Sequence, residues 1–362
     1  MKKIRKSKRD QQESFFGWLM CSPVLLLLLV FVILPLVLGS YWSMTNKRLI
    51  SPLPTEYVGL DNYKRVLSLK VILIQPQLDA AGQFETNETG QVLYPRVRDV
   101  IRSNSEYHSF RPYKEFDIFG HHYGLIAKDP EFYTSLVNTT LYVVIIVPLI
   151  LVISLLLAVL VNQKIFGISF FRTVYFIPSI TMISVTSVVW IFLFNPSVGL
   201  INLILRAVSF GYLGSSPWLQ STDTALFSII LYTIWQASGL FMVIFLGGLQ
   251  DIPQDIYEAA KIDGANAFQT LIHITIPKLR NTIIYVVITS SILGFRLFTQ
   301  VDVMTKGGPQ NSTLTLILHI VNEGFRNQKI GYASAISIVF FLFVLALTFI
   351  QRSLMKSESE ME

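Results

Sequence analysis

The sequence predicts an all-α integral membrane protein with six transmembrane helices, both termini in the cytoplasm and a small extracytoplasmic insertion between the first two helices. Three observations lead to this fold class. Hydrophobic residues make up 52% of the chain and charged residues 14%, whereas soluble domains carry about 25% charged residues. Apolar runs of spanning length recur along the chain, and basic residues gather at alternate ends of them. An ordinary cytoplasmic enzyme of 362 residues is excluded, because it would leave much of this apolar surface in water.

Six segments have the apolar length of about 20 residues that a helix needs to cross the hydrocarbon core. The first, at residues 15–40, is too long for a signal peptide and has no small-residue cleavage site, so we expect a retained anchor. Cys21 lies in this segment as the chain's only cysteine, which excludes an internal disulfide and favours an inert thiol facing the membrane. The other five lie within a predicted core of residues 135–350, at residues 136–161, 173–194, 224–249, 281–301 and 332–350.

Basic residues at the ends of these segments predict the orientation, because cytoplasmic loops carry an excess of Lys and Arg. The tail at residues 1–14 is strongly basic, so we expect a cytoplasmic start, and six crossings place the tail at residues 351–362 on the same side. The basic residues on the predicted inner side are Lys2, Lys3, Arg5, Lys6, Lys8, Arg9, Lys164, Arg172, Lys261, Lys278, Arg280, Arg352 and Lys356. Membrane orientation accounts for the basic tail, and no nucleic-acid partner is expected.

The longest segment outside the predicted spans covers residues 41–134 and is expected on the outer side. A turn at residues 87–90 is predicted between strand-like stretches around Phe84 and at residues 92–94. The segment is too long for a structureless loop and too rich in aromatic residues for a disordered linker, so we expect a small folded cap. Shorter apolar pieces at residues 199–210 and 314–321 are expected to form interfacial or re-entrant helices.

The inner loop at residues 251–279 is predicted to form a short helix, a turn and a second helix. Pro253 suits the first helical turn, Gly264 can adopt the left-handed conformation that ends a helix, and Pro277 is expected to end the second helix. A narrow face at helical spacing would seat in a groove of a partner, and it comprises Ile256, Ala259, Ala260 and Asp263. In a generic loop, such a helix would only connect two spans.

This loop contains the string Glu258-Ala-Ala-x-x-Asp263-Gly264-Ala265, followed by Phe268, Ile274 and Ile276-Pro277. The string strongly resembles the EAA loop of the permease subunits of ABC importers. In that family the loop forms the coupling helix, which docks into a cytoplasmic ATPase subunit. The resemblance therefore implies coupling roles for Glu258, Ala259, Ala260, Asp263, Gly264 and Ala265.

The resemblance extends along most of the chain to the maltose-type sugar permeases of binding-protein-dependent importers. It is carried by Gly59-Leu-Asp-Asn-Tyr63, Asp129-Pro-Glu-Phe132, Asn138-Thr139, Tyr175-Phe-Ile-Pro178, Trp235, Thr305-Lys-Gly-Gly-Pro309, Asn311-Ser-Thr313 and Gly331-Tyr-Ala-Ser-Ala335. It implies a carbohydrate substrate of oligosaccharide type, a second homologous permease subunit, two cytoplasmic ATPase subunits, an extracytoplasmic solute-binding protein and a place in the bacterial cytoplasmic (inner) membrane. The chain departs from the family pattern at about residues 64–128, where ordinary relatives are much shorter, so nothing is carried over onto that insertion.

The sequence lacks the common motifs of nucleotide binding and catalysis. Without a Gly-x-x-x-x-Gly-Lys-Ser/Thr loop the chain has no phosphate cradle, so ATP and Mg²⁺ would be bound by the partner subunits. No Gly-x-Ser-x-Gly or His-Glu-x-x-His motif indicates a hydrolase. His108, His121 and His122 lack the spacing of a metal site and are expected at the surface or in turns. We expect neither a cofactor nor a metal in this chain, and no enzymatic activity.

Polar and aromatic residues inside the predicted spans are candidates for a substrate path, because burying polar groups in lipid is costly. Sugars are bound through hydrogen bonds to their hydroxyl groups and through stacking on aromatic rings. The predicted path comprises Tyr232, Trp235, Gln236, Ser290, Phe295 and Phe298. Close helix packing is the alternative role for such residues, and it is favoured for Gly239 and Ser291. Arg296 either adds a charge to the path or extends to the outer interface.

Two functional hypotheses of different classes follow. In the first, the chain is a transport subunit without chemistry of its own, and separate ATPases drive carbohydrate through a pore formed with a second permease. In the second, it is a membrane-anchored enzyme or assembly factor that acts through its outer insertion. Transport is favoured, since neither an enzyme nor a passive pore would need the EAA-like loop. ATP-dependent uptake that requires a soluble binding protein would separate the hypotheses.

Overall fold

A computed structural model describes residues 8–77, 84, 92–163, 166–212 and 216–354. The predicted turn at residues 87–90, the basic residues 1–7, Lys164 and the tail residues 355–362 lie outside the described residues. The α-helices are, in chain order, α1 (Lys8–Leu28), α2 (Leu34–Trp42), α3 (Asp61–Leu67), α4 (Val97–Ser103), α5 (Pro130–Val161), α6 (Ile168–Ile180), α7 (Ile183–Leu193), α8 (Leu200–Val208), α9 (Ala225–Gln250), α10 (Gln254–Ile262), α11 (Ala267–Thr270), α12 (Ile276–Lys278), α13 (Arg280–Phe295), α14 (Thr299–Met304), α15 (Leu316–Val321) and α16 (Ile330–Leu354). Single π-helical turns lie at Leu29–Ile33, Leu271–Thr275 and Asn322–Arg326, and a 3₁₀ turn lies at Ser105–Tyr107.

Among the described residues, four helices are long and apolar enough to cross a membrane: Phe16–Trp42, Pro130–Val161, Ala225–Gln250 and Ile330–Ser353. Two bent helix pairs, α6 with α7 and the α11–α12 segment with α13, raise the number to six if each pair counts as one span. The chain is therefore a multi-pass helical membrane protein. The short helices expected at residues 199–210 and 314–321 are confirmed as α8 and α15.

The third predicted span, at residues 173–194, is wrong as a continuous helix. α6 and α7 are bent by 100°, because the backbone is extended at Thr181 (ψ 144°) and Met182 (ψ 124°). The Thr181 hydroxyl donates a hydrogen bond of 2.8 Å to the Ile177 carbonyl. This carbonyl is one of the last four of α6, which have no amide donor within the helix. The hydroxyl therefore allows α6 to end inside an apolar stretch of sequence.

The fifth predicted span, at residues 281–301, ends earlier than predicted. α13 stops at Phe295, and the chain turns before α14 begins at Thr299. Phe298 is not helical, with φ −141° and ψ −64°. At this turn the Thr315 hydroxyl donates to the buried Leu297 carbonyl at 2.9 Å. The turn is therefore stabilised by a distant residue that helical periodicity does not reveal.

The described residues fall into two compact units, one within Met1–Leu67 and Ile320–Val339 and the other within Ser68–His319 and Phe340–Glu362. In the first unit, Asn62 of α3 donates to the carbonyls of Ser43 (2.8 Å) and Thr45 (2.9 Å), just after α2. Gly331 of α16 lies so close to Thr45 that a Cβ there would stand 2.1 Å from the Thr45 carbonyl oxygen. Only glycine permits this approach, so the residue at 331 determines how α16 packs beside the end of α2.

The core of the second unit is formed by α5, α9 and α13. Large side chains that are fully buried there include Tyr142 and Ile146 of α5 and Phe241 of α9. Gly239 of α9 packs against α6, since a Cβ at this position would lie 2.0 Å from the Tyr175 carbonyl oxygen. The packing role favoured for Gly239 is confirmed. Small residues of this kind let membrane helices approach each other closely.

The insertion folds around a small antiparallel sheet, which corrects the prediction of an all-α protein. Its strands are β1 (Leu69–Ile74), β2 (Arg111–Ile118) and β3 (His121–Ala127), in the order β1-β3-β2. α4 packs on the sheet over an apolar core of Ile72, Ile74, Val97, Ile101, Phe110 and Ile126. A folded insertion is confirmed, but the strands predicted around Phe84 and at residues 92–94 are not part of this sheet.

The histidines of the insertion lie at its surface. His108 and His121 are exposed, as expected. His122 is half-buried in β3, where its Nδ1 lies 2.6 Å from a carboxylate oxygen of Asp117 in β2. Among the described residues, no group of three or more His, Cys, Asp or Glu side chains is arranged to hold a metal ion.

Candidate functional site

A cavity of about 340 Å³ opens inside the second unit, between α5, α9 and α13 and beside the bend between α6 and α7. One part of its wall is aliphatic or aromatic and includes Tyr142, Ile146 and Phe241. Its polar lining residues are Ser179, Thr233, Gln236, Ser290, Arg296, Thr299 and Gln300. The mixture of apolar surface and a few polar groups is typical of small-molecule sites, and the volume lies within their usual range of about 300–1,000 Å³.

Gln236 is the most informative residue of this cavity. Its side chain is 9% exposed, and its amide has no hydrogen-bond partner within the described part of the chain. The amide atoms of Gln236 are not among the fully enclosed side-chain atoms that lack a partner, so they reach the space of the cavity. Because the residue lines the cavity, a bound molecule or water can provide the missing bonds. The arrangement therefore indicates a binding function for Gln236 rather than packing alone.

Unlike the Gln236 amide, three hydroxyl groups of the cavity wall are hydrogen-bonded to backbone carbonyls of the chain. Ser290 donates to the Val287 carbonyl at 3.2 Å, Thr233 donates to the Ile229 carbonyl at 2.8 Å, and Ser179 donates to the Phe176 carbonyl at 2.7 Å. The bonds of Ser290 and Ser179 use the single donor of each hydroxyl and leave its oxygen available as an acceptor, whereas the Thr233 hydroxyl is also hydrogen-bonded to the Tyr142 hydroxyl. Together with the two donors of the Gln236 amide, the wall presents both acceptors and donors, which is the pattern needed to bind molecules rich in hydroxyl groups.

Of the six residues predicted for the substrate path, the structure brings Gln236 and Ser290 to the cavity and leaves four away from its wall. Tyr232 is fully buried, and its hydroxyl meets the Thr186 hydroxyl at 2.7 Å, which fastens α9 to α7. Trp235 is 41% exposed, with its ring 5.4 Å from that of Trp190.

Two predicted phenylalanines also lie away from the cavity wall. Phe295 is 4% exposed and packs edge to face against Phe340 and Phe343 of α16. Phe298 lies partly buried at the turn before α14. Both side chains pack inside the chain, Phe295 against the two phenylalanines of α16 and Phe298 against the core of the second unit. A role in substrate passage stays a prediction for Tyr232, Trp235, Phe295 and Phe298.

Sequence reasoning missed several residues of the cavity wall. Thr233 lies three residues before Gln236 on the same face of α9, so helical spacing was a usable signal for it. Thr299 and Gln300 reach the wall only because the chain turns after α13, and no local pattern predicts that turn. Arg296 also lines the cavity, which supports the first of the two roles considered for it.

The inner loop has the helix–turn–helix form that the sequence predicts. Gly264 has φ +76°, and the amide of Ala265 donates to the Ala260 carbonyl at 3.0 Å, closing α10 with a Schellman motif. Asn266 and Gln269 then form a reciprocal capping box at the start of α11. Pro277 lies inside α12, and the break before α13 falls two residues later, at Leu279. The turn between the two helices is therefore held at both ends.

The predicted docking face of α10 is only partly available for a partner. Glu258, Ala259 and Asp263 are exposed, and Ala265 is half-buried. Ala260 is 6% exposed and faces its own chain, so its inclusion in an outward face is corrected. The structure adds an apolar feature that periodicity did not single out, because Ile262 is 86% exposed and Phe268 is 69% exposed on the same loop. Large apolar side chains in such positions are typical of protein interfaces.

Comparison with known proteins identifies the family. Residues 124–357 match the family described as the binding-protein-dependent transport system inner membrane component. The chain is 34% identical over 232 residues to the arabinooligosaccharides transport system permease protein AraP of Bacillus subtilis, covering 63% of this chain and 72% of the relative. It is 29% identical over 346 residues to the trehalose/maltose transport system permease protein MalF of Thermococcus litoralis, covering 95% of both.

A solved structure shares the fold. It is a chain of a bacterial alginate ABC transporter, crystallised in complex with an alginate pentasaccharide-bound periplasmic protein, and it superposes with a TM-score of 0.65 at 14% identity over 96% of this chain and 98% of that one. No match supports the alternative of a membrane-anchored enzyme. The chain belongs to the inner membrane components of binding-protein-dependent transport systems, and it is a transport permease subunit rather than an enzyme.

Proposed function

We propose that the chain moves a carbohydrate, of oligosaccharide size, through a pore whose substrate site is the cavity around Gln236. The observation that carries the proposal is the amide of the largely buried Gln236, which has no partner among the described residues and lines a cavity of about 340 Å³ together with Thr233 and Ser290. Tyr142 and Phe241 line the same cavity with aromatic surface. Hydroxyl-binding groups beside aromatic rings match the chemistry of a sugar, and the names of the relatives support this substrate class.

Coupling to ATP hydrolysis is proposed for the inner loop. Glu258, Ala259, Asp263, Gly264 and Ala265 form its turn and exposed polar face, and Ala260 seats the helix on its own chain. We propose that Ile262 and Phe268, which are strongly exposed in the isolated chain, are covered by a cytoplasmic ATPase subunit. Two such subunits would bind ATP and Mg²⁺, since this chain has no phosphate-binding loop.

The arrangement in the membrane follows from the same proposal. With each bent pair counted as one span, we propose six crossings, both termini in the cytoplasm and the insertion outside a bacterial cytoplasmic (inner) membrane. A second homologous permease subunit would complete the pore and cover part of the exposed apolar surface of α9 and α13. An extracytoplasmic solute-binding protein would deliver the carbohydrate on the side of the insertion.

The experiment is transport by the reconstituted complex carrying Gln236→Leu. Loss of the amide removes two donors and one acceptor but keeps the volume, so the apparent affinity for substrate should fall at least tenfold while the thermal stability is kept. Gln250→Leu is the matched control, since Gln250 is exposed at the end of the same helix, and its uptake should stay within twofold of wild type. Unchanged uptake by Gln236→Leu across the whole concentration range would refute the cavity as the substrate site.

A further inference from the structure

The insertion contains an arginine-lined cleft that the transport function does not explain. Arg98 and Arg102 lie one turn apart on α4, and Arg111 is the first residue of β2. The three side chains line one cleft of about 560 Å³. Like charges at this spacing on a helix are mutually destabilising. Arg111 adds a third guanidinium group to the same cleft from a neighbouring element.

The three guanidinium groups are exposed and have no acidic partner within the described part of the chain. Lys70 on the same sheet shows the contrast, because its ammonium group is hydrogen-bonded to Glu106. That bond raises the pKa of Lys70 above its ordinary value. Asp99 and Glu115 line a neighbouring cleft with Arg98 and Arg102, but neither carboxylate lies within 4.0 Å of an arginine nitrogen. The positive charge of the cleft is left available for a ligand.

The rest of the cleft wall carries other polar groups. They are Glu131 from the start of α5, Asn311 from the loop after α14, and His108, whose Nε2 lies 3.2 Å from the Arg102 carbonyl oxygen. Glu131 is about half exposed, with its carboxylate 3.8 Å from Nδ1 of His319. A carboxylate on this wall repels a simple anion but accepts hydrogen bonds from hydroxyl groups. The lining of the cleft therefore includes both anion-binding and hydroxyl-binding groups.

We propose that this cleft binds an acidic saccharide, with a carboxylate of the sugar on Arg98, Arg102 and Arg111 and its hydroxyl groups on Glu131 and Asn311. Guanidinium groups bind carboxylates through paired, charge-assisted hydrogen bonds. The volume of about 560 Å³ suits a small molecule, and the concave shape favours a saccharide over the flat acidic surface of a protein. The inference rests on the proposed function, since an outward-facing cleft of a sugar importer is where incoming saccharide arrives.

The test is direct binding of trigalacturonate to the complete complex in lipid nanodiscs, without solute-binding protein or ATP, measured by isothermal titration calorimetry. Maltotriose is the neutral probe of equal length. We expect trigalacturonate to bind at least tenfold more tightly than maltotriose, and its affinity to fall as salt screens the arginines. The double variant Arg98→Gln/Arg102→Gln and the single variant Arg111→Gln should each weaken it at least tenfold. Arg98→Lys, which keeps the charge without the planar fork, should give an intermediate loss.

Lys114→Gln is the matched control, since Lys114 is an exposed cation of β2 that does not line the cleft, and it should leave the affinity within twofold. Equal affinity for both trisaccharides, or an equal loss in Lys114→Gln, would overturn the proposal. Inorganic phosphate bound as tightly as trigalacturonate would reduce the cleft to a simple anion site. If the arginine variants kept saccharide binding but lost association with the solute-binding protein, the cleft would be a protein-docking site instead. If only Gln236→Leu weakened the binding of trigalacturonate, the saccharide would be bound in the cavity around Gln236 and not in the cleft. Failure of the cleft proposal can therefore be distinguished from failure of the proposed transport function.

Discussion

Gly239→Ala is expected to separate α6 from α9 and to destabilise the protein. The added methyl group would lie 2.0 Å from the Tyr175 carbonyl oxygen and 3.0 Å from the Phe176 Cα. Both are backbone atoms, so no rotation of a side chain can relieve the clash, and one helix has to move by more than an ångström. Gly247 of the same helix is the matched control, because a methyl group there would have no neighbour within 4 Å.

Overpacking of this kind costs about 1–3 kcal/mol, and the upper value applies because the obstacle is backbone. At about 2 °C per kcal/mol for a large chain, the apparent Tm of Gly239→Ala should fall by about 5 °C. Gly247→Ala should leave Tm unchanged or raise it slightly, since alanine stabilises a helix interior by about 0.5–1 kcal/mol relative to glycine. The assay is thermal unfolding of the purified complex at one fixed scan rate. If the two variants melt within 1 °C of each other, α6 and α9 do not approach as described.

Three further predictions follow from other parts of the chain. Gly264→Pro, at a residue with φ +76°, and Glu258→Lys should abolish substrate-stimulated ATP hydrolysis in assembled complexes, and normal stimulation in either would refute the coupling role. His319→Leu should lower the free energy of unfolding by about 2–3 kcal/mol, because it leaves the buried Asp129 carboxylate without the imidazole nitrogen 3.0 Å away, and thermal unfolding would show no change if that contact is unimportant. Replacement of residues 69–127 by a short linker should keep assembly and basal ATPase activity but weaken association with the solute-binding protein, measured by co-purification, and wild-type association would exclude a docking role for the insertion.

The long spans were predictable because their signal is cumulative. Residues 130–161 and 225–250 are apolar over many turns, so a few polar side chains do not change the outcome. The break after α13 was not predictable, since it is stabilised by the bond from Thr315 to the Leu297 carbonyl. Such a bond joins residues 18 positions apart, and hydropathy does not detect it.

The sheet of the insertion was missed for a different reason. The sequence of β1, Leu-Lys-Val-Ile-Leu-Ile, does not alternate strictly between polar and apolar residues, so it carries no clear period of two. The turn residues at 87–90 led instead to a prediction of strands on either side of that turn. In the site, Gln236 and Ser290 were found because polar groups in apolar spans are rare. Thr299 and Gln300 lie after the break and required the structure.

The closeness of the inner loop to α13 has a mechanical consequence. α13 begins one residue after Leu279, where the loop ends, and it carries Ser290 in the cavity wall. At 1.5 Å per residue, the ten steps from Arg280 to Ser290 make a rigid arm of about 15 Å. A tilt of about 10° at the inner end of this arm shifts the serine by about 2.6 Å, which is comparable to the length of a hydrogen bond. A small rotation at the Arg280 end of α13 is thus sufficient to make or break a contact between Ser290 and a molecule in the cavity.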